Sequence, residues 1–191
     1  MAPNPMVALR IETTRLILRP PRAEDVDAIF ARYASDAEVT RFVGFPRHIS
    51  LADTEAFLDF SQSQWRRWPA GPLLIESRAT GALLGSTGLD FETEYRASAG
   101  YVLARDSWGH GFATEALRAM VEFAETLGLQ RLYALCHVQH VRSARVLERG
   151  GLQLEGTLRR HMMFPNMAAI HAQDVLCYSR IREDDGRLAE P

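Results

Sequence analysis

The chain has 191 residues, 47% apolar and 24% charged, which fits one folded domain able to bury about 70% of its unfolded surface and excludes intrinsic disorder. Its 22 basic and 24 acidic side chains leave a net charge of −2 with no polybasic run, so a nucleic-acid partner is not expected. No apolar run approaches the ~18–20 residues of a membrane span, and Met1 to Leu9 lacks the charged start and apolar core of a secretion signal; a cytoplasmic protein with no membrane partner is expected.

Residues 1–8 and 183–191 read as flexible tails around a single domain over 9–182. Arg15 to Arg19 alternates polar and apolar residues, a short strand stopped by Pro20-Pro21. Val26, Ile29, Phe30 and Tyr33 recur at helical spacing, predicting a helix over Ala23 to Ala34. Ser50 with Asp53 three residues on predicts the start of a second helix, with Ala56, Phe57 and Phe60 as its apolar stripe. Strand-like runs Leu73–Arg78, Leu83–Phe91 and Ala97–Ala104 predict an antiparallel meander.

Leu117, Met120, Val121, Ala124 and Leu127 then mark a strong helix over Ala113 to Leu127, ended by Gly128. A strand over Arg131 to Val138, a short helix over Arg142 to Arg149 and strands over Leu152–Arg160 and Ala172–Arg182 complete the chain. This order implies an α/β (α+β) fold, a central mixed sheet with helices on its faces. Cys136 and Cys177 lie in strand-like runs and read as buried, reduced thiols.

The stretch Arg105-Asp-Ser-Trp-Gly-His-Gly-Phe-Ala-Thr114 carries the chemistry. A strand leads into a turn with two glycines, and a long amphipathic helix follows. Unpaired N–H groups and the partial positive charge of a helix start suit a phosphate, and Gly109 and Gly111 let a ligand approach the backbone. The same pattern also serves a tight structural connection. It lacks the Lys-Ser/Thr of a P-loop and the acidic partner of a dinucleotide fold, so nucleoside triphosphates and NAD are poor ligands.

With Tyr101-Val102-Leu103-Ala104 before it and the Ser143 helix after it, this stretch resembles the GNAT superfamily of acyl-CoA-dependent N-acetyltransferases. Within that superfamily it is most similar to the ribosomal-protein N-terminal acetyltransferase (Rim) type. The resemblance runs from Thr13-Thr14-Arg15-Leu16 to about Tyr178. It implies a mostly antiparallel mixed sheet of about seven strands flanked by about four helices, with acetyl-CoA as cosubstrate. The family's Gln/Arg-x-x-Gly-x-Gly/Ala motif matches Trp108-Gly109-His110-Gly111-Phe112-Ala113, with Trp108 departing from the wider consensus. By this resemblance the amides from Gly109 to Thr114 hold the CoA pyrophosphate. The Val102, Leu103 and Ala104 backbone pairs with the pantetheine arm.

The block His137-Val-Gln-His140-Val-Arg-Ser143 extends the match, with His140 in place of the usual Asn, still able to reach the pantetheine arm. Ser143 falls where the family places a serine near the CoA sulfur, and its alternative role is a helix N-cap. His137 and His140 lack a third ligand, so no metal site is expected.

The implied reaction is attack of a primary amine, a protein N-terminus or a small amine, on the thioester. The family's basic Glu falls at Ser98, which cannot be that base. Glu92 or Glu94 in the preceding turn supplies it, Glu94 being the nominated residue, or an α-amino acceptor needs little help. A catalytically weak acyl-CoA-binding or interaction module is the alternative. Arg159 or Arg160 faces a carboxylate-bearing acceptor or is a solvated charge pair. Asp174 is structural or acceptor-side, and Trp65 and Trp68 read as packing anchors. The chain is expected to act as a monomer or homodimer.

Overall fold

In the computed structural model, which describes residues 9–182, eight strands form one sheet in the order β1-β2-β3-β4-β5-β6-β8-β7. They are β1 (Ile11–Glu12), β2 (Leu16–Arg19), β3 (Pro72–Ser77), β4 (Leu83–Thr93), β5 (Arg96–Leu103), β6 (Arg131–His137), β7 (Gln153–Met162) and β8 (Gln173–Ile181). Only the β5–β6 pair is parallel. The helices are α1 (Val26–Ile29), α2 (Leu51–Arg67), α3 (Phe112–Thr126) and α4 (Val141–Arg149). The tails expected over 1–8 and 183–191 lie outside the described residues. The strand beyond the seven expected is β1, two residues long, too short to show alternation.

Two helices differ from expectation. The predicted Ala23–Ala34 helix is instead a 3-10 turn, the short α1 and a π turn over Phe30–Ala34. Ser35 widens that last turn, giving both its N–H and its hydroxyl to the Phe30 carbonyl at 3.2 and 2.7 Å. In α2 the inward residues are Thr54, Leu58, Ser61 and Trp65, while Ala56 and Phe60 are exposed. Thr54 is admitted to the interior because its hydroxyl pairs with His48 Nδ1 at 2.8 Å.

The sheet separates two cores. Leu117, Met120, Val121 and Ala124 of α3 pack on the face that carries Ala97, Ala99 and Leu103 of β5. On the opposite face Ile29, Tyr33 and Leu58 pack against Leu74 and Val102. Successive strand residues point to opposite faces. Cys136 and Cys177 are therefore neighbours that cannot meet: Cys177 registers with Leu135, one residue away from Cys136. Both are buried free thiols.

The feature that positions the site is a parting of strands. β5 and β6 pair only at Arg96–Arg131, Ala97–Leu132 and Ser98–Tyr133. Beyond Ser98, β5 keeps its ladder with β4, and β6 keeps its ladder with β8. An open wedge with an unpaired strand edge results, and an edge of this kind accepts an extended chain as an extra strand.

Candidate active site

After β5 the chain makes one 3-10 turn, Arg105–Ser107, and reaches Gly109 and Gly111, which adopt left-handed φ values of 80° and 79°. Only glycine takes that conformation without cost. Gly111 is the N-cap of α3, and the first in-helix bond runs from the Glu115 N–H to the Gly111 carbonyl at 3.1 Å. The amides of Phe112, Ala113 and Thr114 therefore lack in-helix partners and sit at the positive end of the helix. A Cβ built on Gly109 would meet nothing within 4 Å, so space lies open before the loop.

Arg15 locks this loop to the N-terminal strand. Glu115 accepts from Thr13 Oγ1 at 2.6 Å, from the Arg15 N–H at 2.8 Å and from Arg15 Nε at 2.6 Å. Arg15 Nη1 donates to the His110 carbonyl at 2.8 Å, and its guanidinium lies 4.8 Å from the Phe112 ring centre. Burial raises the Glu115 carboxyl, but the donors and charge of Thr13 and Arg15 outweigh it and hold the group below its ordinary pKa. The His110 ring is exposed and stacks on Phe112. Trp108 donates its indole N–H to the Leu103 carbonyl at 2.9 Å, and Arg142 lies 5.7 Å over its ring. Arg15 and Arg142 thus place two cations beside the glycine loop, and no local motif marks either.

The loop opens onto the wedge. Val102, Leu103 and Ala104 bury their side chains, and their backbone is tied to β4, with the Ala104 N–H on the Leu84 carbonyl at 2.8 Å. Across the wedge stands Ser143, the third residue of α4. It is not the cap: His140 is, and the Ser143 N–H donates to its carbonyl at 2.9 Å. The cap alternative is thereby corrected, because the helix starts at Val141, one residue earlier than the expected Arg142.

The Ser143 hydroxyl instead lies 2.8 Å from Tyr101 Oη. Burial pushes the Tyr101 phenol up, only partly offset by Ser143, so it keeps its proton at neutral pH. The Cys136 thiol is pushed up to about 11 by burial, only partly offset by Ser143. His140 stacks on Phe42 at 4.7 Å, and burial with nearby His137 and Arg142 holds its pKa down, so the ring is neutral. His137 is buried, its Nδ1 accepting from the Gln139 N–H at 3.1 Å. No group of three or more potential metal ligands occurs among the described residues.

The nominated base does not join this cluster. Glu94 is exposed in the β4–β5 turn, and β5 alone carries Tyr101 roughly 17 Å from Arg96 along the strand. Glu92 lies nearer: its carboxylate accepts the Tyr133 hydroxyl and pairs with Arg96 at 2.6 Å. Asp174 accepts the Arg160 N–H at 2.8 Å where Arg160 takes a φ of 46° within an irregular stretch of β7, which makes it a backbone support. Trp65 is a core residue whose indole N–H reaches the Pro72 carbonyl at 3.0 Å, and Trp68 stacks on Phe91. No helix among the described residues is long and apolar enough to cross a membrane.

Comparison with known proteins agrees with this architecture. The profile of the acetyltransferase (GNAT) domain matches residues 15–153. The uncharacterized N-acetyltransferase YoaA of Bacillus subtilis (strain 168) is 35% identical over 161 residues, covering 80% of this chain and 87% of its own. Among solved structures, the ribosomal L7/L12 alpha-N-protein acetyltransferase RimL, in complex with coenzyme A, superposes with a TM-score of 0.79 at 21% identity, covering 91% of this chain and 98% of its own. The Microcin C7 self immunity acetyltransferase MccE, in complex with acetyl-CoA and AMP, gives 0.78 at 18% identity, covering 88% and 93%. A mixed sheet parted at β5 and β6, a glycine loop at the start of α3 and the matching domain profile belong together: the chain is a member of the GNAT acetyltransferase family and an N-acetyltransferase.

Proposed function

We propose that the chain moves acetyl from acetyl-CoA to the α-amino group of a polypeptide or similar acceptor by direct attack. The observation that carries this reading is the unpaired β5 edge, which joins the glycine loop at one end to the Tyr101–Ser143 hydroxyl pair inside the wedge. In this reading the amides of Gly109 to Thr114, with Arg15 and Arg142 alongside, hold the pyrophosphate. The Val102–Ala104 edge orients the pantetheine arm, and neutral His140 lines its path. Acetyl-CoA supplies the thioester; Ser143, backed by the protonated Tyr101, donates to the departing sulfur.

The α-amine is favoured because it suits a site with Ser98 where the family resemblance places a carboxylate. An α-amino group has a pKa near ~7.7–8.0 against ~10.4 for lysine, so far more of it is neutral at pH 7. The likeness to a ribosomal-protein alpha-N acetyltransferase points the same way. The test uses the peptide Ala-Ser-Lys-Gly, which carries both kinds of amine. After incubation with acetyl-CoA, fragmentation mass spectrometry is expected to find acetyl on the α-nitrogen. Acetyl confined to the lysine side chain overturns the acceptor assignment, and absence of calorimetric binding of acetyl-CoA overturns the whole reading.

A further inference from the structure

We infer that Asp90, on the strand beside Ser98, is the general base that removes the acceptor's proton. The inference rests on the transfer reading above and supplies what Ser98 cannot. In the ladder Asp90 stands directly opposite Ser98, and Ser98 opposite Tyr133. Opposed residues share a face with Cβ atoms about 4.5–5.5 Å apart, so the three form one row across the sheet. Ser98–Tyr133 is also the last β5–β6 pair before the strands part, so this row marks the apex of the wedge. Alternation along β5 sends Ser98 to one face and Tyr101 to the other. An amine arriving on the Asp90 side thus meets the thioester from the face opposite the Tyr101–Ser143 pair, where the sulfur departs.

The neighbouring carboxylates are occupied or remote. Glu92 is held by Arg96 and the Tyr133 hydroxyl. Glu94 lies in the far turn. Neither a hydrogen bond nor an ion pair engages the Asp90 carboxylate among the described residues, although the residue is exposed. Local desolvation, with the charge of Glu92 added, raises its carboxyl above the ordinary range, which makes it the stronger base. The step balances: the Asp90 carboxylate takes one proton from the ammonium, and the freed nitrogen pair forms the C–N bond. The C–S bond breaks with its electron pair on sulfur, which is protonated from the Ser143 side. The nitrogen sheds its second proton to solvent, re-protonation of Ser143 and Tyr101 consumes one, and Asp90 releases its own, for one net proton per turnover.

The test compares two nucleophiles, Ala-Ser-Lys-Gly and hydroxylamine, the second already neutral at pH 7 and in no need of a base. Asp90→Asn is expected to lower kcat/KM for the peptide on the order of 10²-fold, to leave acetyl-CoA binding unchanged and to spare hydroxylamine. Adding Ser98→Glu to Asp90→Asn is expected to restore peptide transfer, while Glu92→Gln keeps most of the rate. Wild-type peptide kinetics in Asp90→Asn overturn the assignment. Equal loss with both nucleophiles and no rescue does the same, since that pattern marks a structural role. A wild-type protein that binds acetyl-CoA but acetylates neither probe overturns the transfer reading itself, and any base with it.

Discussion

Tyr101 on β5 and Ser143 on α4 bring their hydroxyls to 2.8 Å across the opening between β5 and β6, and the Tyr101 hydroxyl also lies 3.3 Å from the Ser143 carbonyl. This contact bridges the two walls of the wedge at the level where the glycine loop and the strand edge converge. A protonated phenol behind a serine hydroxyl makes a two-member donor chain, with the serine as the terminal donor and the tyrosine as the group that re-supplies it.

Removing either member should slow sulfur departure without disturbing the phosphate end of the site. Ser143→Ala is expected to lower kcat on the order of 10²-fold, with Tyr101→Phe somewhat milder. Calorimetric titration of both variants should give acetyl-CoA affinities close to wild type. Unchanged turnover at saturating substrate in Ser143→Ala removes the serine from the chemistry.

The cradle predicts the converse pattern. At Gly111 any side chain is strained by the left-handed φ of 79°, at a cost of about 1–2 kcal/mol. Gly111→Ala should therefore lose modest stability. Gly111→Trp should lose a similar amount but abolish acetyl-CoA binding, because the indole fills the space before the amides of α3. The two variants compared by thermal melting and by calorimetry separate backbone strain from occupation of the site. Wild-type affinity in Gly111→Trp places the cofactor elsewhere.

What could be read from the residues alone follows the range of the interactions. α3 was legible because Leu117, Met120, Val121 and Ala124 repeat at the helical period and all are buried. The α2 face was not, because two of its inward positions are Thr54 and Ser61 while the larger Phe60 stays exposed. The glycine loop was visible as a local motif. Its partner Arg15 was not, since the bond to His110 spans 95 residues and no periodicity reports it. The Tyr101–Ser143 pair spans 42 residues between a strand and a helix. Asp90 came into view only with the hairpin register, because one residue of slip would send it to the opposite face.

Stability toward acid should depend on Asp25. Arg19 donates to Asp25 at 2.7 Å through both terminal nitrogens and to Glu76 at 2.6 Å, with all three side chains largely withdrawn from water. Burial raises the Asp25 carboxyl, but Arg19 and the Arg22 N–H outweigh it and hold the group below its ordinary value. A lowered folded pKa contributes stability that is fully present above the unfolded value, near ~3.9, and is lost as pH falls through the folded one. Asp25→Asn should cost about 3 kcal/mol at pH 7, less if Glu76 retains Arg19. Its stability should then fall less steeply than wild type below about pH 4. Chemical denaturation at pH 7, 4 and 3 checks both; parallel pH curves would show that Asp25 titrates alike in both states.

The attachment of α4, which carries Ser143, rests on Gly150. Its backbone is ordinary, with φ of −77°, so its need for glycine is purely spatial. A Cβ there would lie 2.3 Å from Leu117 Cδ2 and 2.9 Å from its Cγ. Leu117 is fully buried on α3 within the main core, so making room for the methyl displaces packed neighbours. Gly150→Ala should therefore cost about 1–3 kcal/mol by overpacking, and Leu117→Ala about 2–5 kcal/mol by leaving a cavity. The two changes address the same space, since the new methyl enters the volume that the leucine vacates. The double variant should accordingly cost less than the sum of the singles by about 1 kcal/mol or more. Urea denaturation of the four proteins measures that coupling directly. Strict additivity would mean that α4 shifts as a body when the alanine is added, and Ser143→Ala should then matter less for turnover in the Gly150→Ala background, because its hydroxyl would already have left Tyr101.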